Sequence, residues 1–274
     1  MKLIDIGVNL CDDMFKGIYN GKQSHDSDVE QVIQRALDKH VDKLMITGTC
    51  YQDILEAVEL IEKFKDKFPN RLYTTVGVHP TRCNEFNPSN DIDHRNALLE
   101  IVKKHREYIV AIGECGLDYD RLHYCEKEQQ QKYFEFQLEM AKETKLPLFL
   151  HNRKSTHDLC EILKRHYDDL GLFVVHSFDG SLEELKELLS LGDKVFIGIN
   201  GCSLKTAENL QVVKEIPLDR LCIETDCPYC EIRQSHACWK LLQESKPFVF
   251  DSKKKEKFEL GQHVKSRNEP DNLM

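Results

Sequence analysis

Eight short apolar runs, separated by longer charged segments, constrain this chain more than any other feature. Residues 2–9 (KLIDIGVN), 43–49 (KLMITGT), 72–80 (LYTTVGVHP), 110–118 (VAIGECGLD), 146–152 (LPLFLHN), 171–178 (GLFVVHSF), 194–200 (KVFIGIN) and 221–227 (LCIETDC) have the composition of strands. Between them, segments such as 29–40 (VEQVIQRALDKH), 54–64 (ILEAVELIEKF) and 133–144 (YFEFQLEMAKET) place apolar residues at three- and four-residue spacing, which predicts amphipathic helices. The strand runs are nearly continuous in apolar residues, as expected when helices cover a parallel sheet. Eight β/α units predict an α/β fold, a TIM (β/α)8 barrel, with a doubly wound sheet as the alternative. With no shift in composition and no internal repeat, residues 1–274 read as a single barrel domain.

Charge and cysteine content narrow the function. A net charge of -9 argues against a broad basic face for nucleic acid, because such binding rests on Lys and Arg neutralising phosphates. It leaves room for an enzyme that neutralises phosphate with metal ions inside one cleft. The N-terminal stretch MKLIDIGVNLCDDMF carries acids where a signal peptide needs an apolar region, and no run of eighteen apolar residues is present. The expectation is therefore an intracellular protein, of the nucleus or cytoplasm, with no membrane contact and no obligate protein partner. Its 11 cysteines are scattered through strand-like and helix-like runs, and disulfides are not expected in a reducing compartment.

In a β/α barrel the chemistry sits where strands end at their C-termini. Those ends supply Asn9, His79, Glu114, Asp118, His151, Asn152, His176, Asn200 and Asp226. One histidine at a strand end reads as hydrogen-bonded structure; several with carboxylates on one face read as ligands for divalent metal, because imidazole suits zinc or manganese and carboxylate suits magnesium or manganese. Glu114 and Asp226 would bring the negative charge that holds such ions. Other motifs are weaker. The CPYC at 227–230 follows the eighth strand rather than opening a helix early in a small fold, so it does not read as a thiol redox centre. Cys227, Cys230, His236 and Cys238 form a zinc set by ligand type only. Ser155 reads as the cap of a helix beginning near His157.

In order along the chain, GVHPTRC (77–83), IGECGLDYD (112–120), LFLHNR (148–153), VVHSFDG (174–180), IGINGCSLK (197–205), IETDCPY (223–229) and RNEP (267–270) resemble the signatures of the TatD family of metal-dependent deoxyribonucleases, in their eukaryotic form. The resemblance implies a barrel of the metallo-dependent hydrolase type that hydrolyses DNA phosphodiester bonds with two divalent ions, magnesium or manganese with zinc as an option. It implies that Glu114, His151, His176 and Asp226 bind metal, with Glu114 and Asp226 catalytic, and that His79, Asn152 and Arg153 line the substrate cleft. Lys205, with Arg82 and Arg153, would form a local cationic cluster for DNA. Given the overall negative charge, the expectation is exonuclease-like cutting of single strands or ends.

Two departures from the family pattern stand out. Many members begin with DxHxH, where this chain has Asp5, Ile6, Gly7, Val8 and Asn9. Gly7 offers no side-chain ligand and Asn9 at best a weak oxygen donor, which implies a looser metal position there. After residue 228 the pattern fades into one apolar run at 247–250 and a lysine cluster at 253–255, without the closing helix that follows RNEP in the family. That predicts a shortened end and exposed apolar surface on the first and eighth strands. Two alternatives to a nuclease follow: an amidohydrolase-type enzyme cutting a small amide or ester, and a noncatalytic scaffold.

Overall fold

The computed structural model describes residues 2–86, 89–244 and 252–273. Eight parallel strands follow one another in chain order: β1 (Leu3–Val8), β2 (Val41–Ile46), β3 (Leu72–Val76), β4 (Ile109–Asp118), β5 (Leu148–Arg153), β6 (Phe173–Val175), β7 (Val195–Ile199) and β8 (Leu221–Ile223). A doubly wound sheet would reverse its strand order at a switch point. Here the order never reverses, and the last strand returns to the first through a parallel bridge between Val8 and Cys227. Backbone bonds from Asp226 to the Gly7 carbonyl and from Asn9 to the Cys227 carbonyl, each 2.8 Å, close that seam. The result is the predicted barrel.

The helices follow the predicted periodicity: α1 (Val29–Asp38), α2 (Tyr51–Phe64), α3 (Asp91–Lys104), α4 (Lys127–Thr144), α5 (Thr156–His166), α6 (Leu182–Leu189), α7 (Ala207–Lys214) and the short α8 (Trp239–Glu244). Helix α1 buries Val29, Val32, Ile33 and Ala36 against β1 and β2, each fully buried large side chain contributing about 1.5–3 kcal/mol. Helix α6 begins at a capping box, in which Ser181 Oγ accepts from the Glu184 amide and Glu184 Oε2 accepts from the Ser181 amide. Such a cap is worth about 1 kcal/mol.

Helix α4 departs from a plain amphipathic reading. Its Gln137 accepts from the Val78 amide (2.7 Å) and donates to the Val78 carbonyl (3.1 Å), while Gln130 grips the amide and carbonyl of Asp118 in the same way. Both glutamines are fully buried. They act as surrogate strand neighbours, and they fix the backbone beside His79 and at Asp118.

The C-terminal segment lies along the seam. Arg267 is fully buried and donates to both oxygens of Asp28 (2.7 and 2.6 Å) and to Glu269 (2.8 Å); Arg35 of α1 clamps the other Glu269 oxygen. Asn268 donates to the Thr225 carbonyl (3.0 Å), just before Asp226. The RNEP motif thus ties α1 to the end of β8. Strand β8 is half-buried along its length and Ile4 on β1 is half-exposed. The run at 247–250 lies outside the described residues. Among the described residues no helix is long and apolar enough to cross a membrane.

Candidate metal centre

The ends of β4, β5 and β6 converge on one carboxylate. Glu114 Oε1 lies 2.8 Å from His151 Nδ1 and 2.8 Å from His176 Nε2, with His79 Nε2 at 3.5 Å. His151 and His176 stand on paired strands with ring centroids 5.9 Å apart. On its far side His151 Nε2 meets Asp118 Oδ2 at 3.1 Å. His79 is held by Thr81, whose amide donates to Nδ1, so that Nε2 turns toward His151 at 3.2 Å. Within this mouth, two sets of potential ligand atoms lie close together: Glu114, His151 and His176, and His79, Asp118 and His151.

Electrostatics follow from the geometry. Burial pushes the Glu114 carboxyl up, but the charges of His176 and His79 and the bonds from His151 and His176 hold it well below the usual carboxylate range. Burial works against charge on His151 and His176, yet bonds and charge from Asp118 and Glu114 in the first case, and the charges of Glu114 and Glu224 with the bond to Glu114 in the second, raise both above a free imidazole. His79, with less carboxylate support, is pushed down by burial to about 3. Asp226 is pushed up to about 7 by burial and by the charges of Glu224 and Glu114.

The first strand contributes differently from the family pattern. Asn9 presents its amide nitrogen, donating to Asp226 Oδ1 (3.0 Å) and to the Cys227 carbonyl (3.1 Å), so it positions a carboxylate rather than offering an oxygen. Gly7 makes room for a residue that the strand-end reading passed over. A Cβ at Gly7 would lie 2.5 Å from Glu224 Oε2. Glu224 is buried; its Oε1 accepts from the Ser177 amide and from Asn200 (3.3 Å), and lies 3.4 Å from His176 Nδ1. Its Oε2 and His176 Nδ1 have no hydrogen-bond partner. The signal lay in the strand boundary: β8 stops at Ile223, so Glu224 is the first residue past its C-terminal end.

The remaining candidates separate. Arg153 is half-exposed and 4.0 Å from Asp118, while Arg82 lies in the 3-10 turn Pro80–Glu85 after β3 and Lys205 follows the turn Gly201–Leu204 after β7, both on the side where the strands end. Asn152 does not point into it: its amide donates to Thr156 and its oxygen accepts from Ser155, at the start of α5. Ser155 occupies the N-cap position but makes no capping bond; its hydroxyl donates to the Leu117 carbonyl and to Asn152. The proposed cysteine zinc set is not assembled. Cys227 is buried at the seam, the Cys230 thiol faces Cys202, and among the described residues no ligand cluster contains a cysteine. A third cluster, His263, Glu269 and Asp271, belongs to the C-terminal segment, where Arg35 and Arg267 already neutralise Glu269.

Three imidazoles aimed at one carboxylate, with a buried Glu224 oxygen and the outer His176 nitrogen left without hydrogen bonds, form a donor set that fits divalent metal. Fold and site together define a barrel hydrolase of the metal-dependent class. The chain belongs to the TatD-related DNase family, whose model matches residues 4–273. It is 38% identical to the deoxyribonuclease Tat-D of Saccharomyces cerevisiae, covering 100% of this chain and 84% of that protein. It is 42% identical to the deoxyribonuclease Tat-D of Schizosaccharomyces pombe, covering 99% and 86%. The crystal structure of an uncharacterized amidohydrolase from Saccharomyces cerevisiae superposes with a TM-score of 0.93 at 39% identity, over 100% of this chain and 91% of that one.

Proposed function

We propose that this protein is a metal-dependent deoxyribonuclease that hydrolyses DNA phosphodiester bonds from single strands or ends entering the barrel mouth. The observation that carries the reading is the convergence of His79, His151 and His176 on Glu114, with Asp118, Asp226 and Glu224 around them, in a chain of this family. Glu114, His151, His176 and Asp226 would hold two divalent ions, magnesium or manganese, with Glu224 as a further carboxylate in reach of His176. Held by these residues, such ions would supply Lewis acidity toward the phosphate and make a water more acidic.

The side chains supply the rest. Asp226, steadied by Asn9, would accept a proton from the attacking water. His79, Arg153 and Lys205 meet the phosphate backbone, Arg153 through its forked donors. Asn152 supports the start of α5 beside them. With a net charge of -9, duplex DNA gains little from the protein surface, and a strand end that reaches the mouth is favoured over a closed duplex. The nuclear or cytoplasmic setting expected of such an enzyme accords with this substrate.

The test is digestion of end-labelled single- and double-stranded oligonucleotides with magnesium, manganese or zinc. Wild type releases nucleotides from ends and leaves closed circular duplex largely uncut, while Glu114→Gln loses metal-dependent cleavage. Cleavage by Glu114→Gln at the wild-type rate would overturn the assignment.

A further inference from the structure

Two thiols meet at the edge of the mouth without a part in the chemistry above. Cys202 Sγ lies 2.9 Å from Cys230 Sγ, and Cys230 Sγ donates to Asp226 Oδ2 at 3.3 Å. Cys202 sits in the turn Gly201–Leu204 after β7; Cys230 lies four residues beyond Asp226, in left-handed backbone at φ 53°. Glycine at 201 permits the meeting, because a Cβ there would fall 1.9 Å from the Cys230 carbonyl oxygen. Both cysteines are half-buried, and Cys230 lies on the wall of a cavity of about 1000 Å³ that also touches Glu224 and Trp239. Cys83 and Cys125, which also interact, are by contrast buried.

We propose that Cys202 and Cys230 are a modification site: on reaction with hydroperoxide they form a reversible disulfide, which slows the nuclease by removing the thiol donor from Asp226. Cys230 spends its one proton on Asp226, which leaves Cys202, within reach of the Lys205 charge, as the attacking sulfur. The Cys202 thiolate attacks one oxygen of hydrogen peroxide, the O–O bond breaks, and the leaving hydroxide takes up the proton that the thiol released, giving a sulfenic acid and water. The Cys230 sulfur then attacks the Cys202 sulfur, the S–O bond breaks, and the thiol proton departs with the hydroxyl as a second water. The two thiols lose two electrons to the peroxide, and a dithiol reductant reverses the bond by exchange. With the disulfide formed, Asp226 keeps Asn9 on Oδ1 but loses its partner on Oδ2. The slowing rests on the nuclease reading of the mouth; the bond itself does not.

The experiment treats the purified full chain with hydrogen peroxide, maps non-reduced peptides by mass spectrometry, and follows DNA cleavage in parallel. The expected result is a Cys202–Cys230 linked peptide pair, lighter by about two hydrogens and abolished by dithiothreitol. Cleavage falls roughly tenfold in kcat, the scale of one hydrogen bond to a charged group, with little change in KM, and returns on reduction. Cys202→Ser keeps the reduced activity and does not respond to peroxide. Absence of the linked pair overturns the site, and a linked protein with undiminished cleavage overturns the switch. A chain inactive on DNA before oxidation refutes the nuclease reading instead, and the peptide map then decides the bond alone.

Discussion

The substitution Gly7→Ala tests how the site is built where it departs from the family pattern. The added Cβ would lie 2.5 Å from Glu224 Oε2, against about 3.3 Å for an ordinary carbon–oxygen contact, while its approaches to Phe149 Cζ and Glu224 Cδ, at 3.4 Å each, are tolerable. The carboxylate must therefore retreat by roughly 0.8 Å. It has little freedom to do so, being 3% exposed with its other oxygen held by the Ser177 amide and Asn200. Overpacking of this kind costs about 1–3 kcal/mol. In a chain of this size that lowers Tm by roughly 2–4 °C for each kcal/mol. Displacing a group next to His176 by almost 1 Å should lower kcat about 100-fold. Thermal unfolding and single-turnover cleavage read the two effects. Adding Glu224→Asp, which withdraws the carboxylate by one methylene, should restore stability with a coupling of about 0.5–3 kcal/mol. A Gly7→Ala protein with wild-type Tm and rate would refute the reasoning, because Glu224 would then not need the space that Gly7 leaves.

Arg267→Met leaves Asp28 and Glu269 buried without their main partner, and should cost about 3–5 kcal/mol in urea unfolding; a loss under 1 kcal/mol would mean the RNEP segment does not hold the seam. Asp5, buried and bonded to Thr225, has its carboxyl pushed up to about 8, chiefly by burial, against about 3.9 in an unfolded chain. Between those values the folded state holds a proton that the unfolded state has lost. The stability this contributes is full below about pH 4 and is lost as pH rises through 8, with a slope of up to about 1.4 kcal/mol per pH unit. Asp5→Asn should remove that slope, and an unchanged profile of stability against pH would refute it.

The barrel was legible because parallel strands buried on both faces and amphipathic helices leave two different periodicities in the chain, and eight repeats of that alternation admit few architectures. Strand ends led to His79, Glu114, Asp118, His151, His176 and Asp226 because the fold sends every C-terminal end to one mouth. Glu224 escaped because the apolar run reads on to residue 227, whereas the strand stops at Ile223, so the residue that directly follows the strand end was passed over in favour of Asp226. Gln130 and Gln137 carry no mark in the sequence, since nothing in a helical period says that an amide will bond a strand backbone. The Cys202–Cys230 contact joins loops 28 residues apart and leaves no local pattern, whereas the visible CPYC pairing of Cys227 with Cys230 is undone by the burial of Cys227 at the seam.

The same carboxylates that make the mouth suitable for metal also bring protons into competition with it. Burial disfavours charge on His151 and His176, but their carboxylate neighbours prevail and both hold protons more firmly than free imidazole. A nitrogen that ligates a cation must first give up its proton, so affinity for manganese or magnesium should fall about tenfold per pH unit for each proton displaced. Differential scanning fluorimetry across a manganese titration at pH 6 and pH 8 measures this: at 100 times Kd the ion should add about 2.7 kcal/mol of stability, and the midpoint at pH 6 should lie well above that at pH 8. Calorimetry in buffers of different ionisation enthalpy counts the protons released. Glu114→Gln weakens the charge that holds those protons as well as the ion, so its midpoint should rise at both pH values while its dependence on pH shrinks. Equal midpoints for wild type at the two pH values, with no proton release, would mean that His151 and His176 are not ligands and that the ion, if bound, is held by the carboxylates alone.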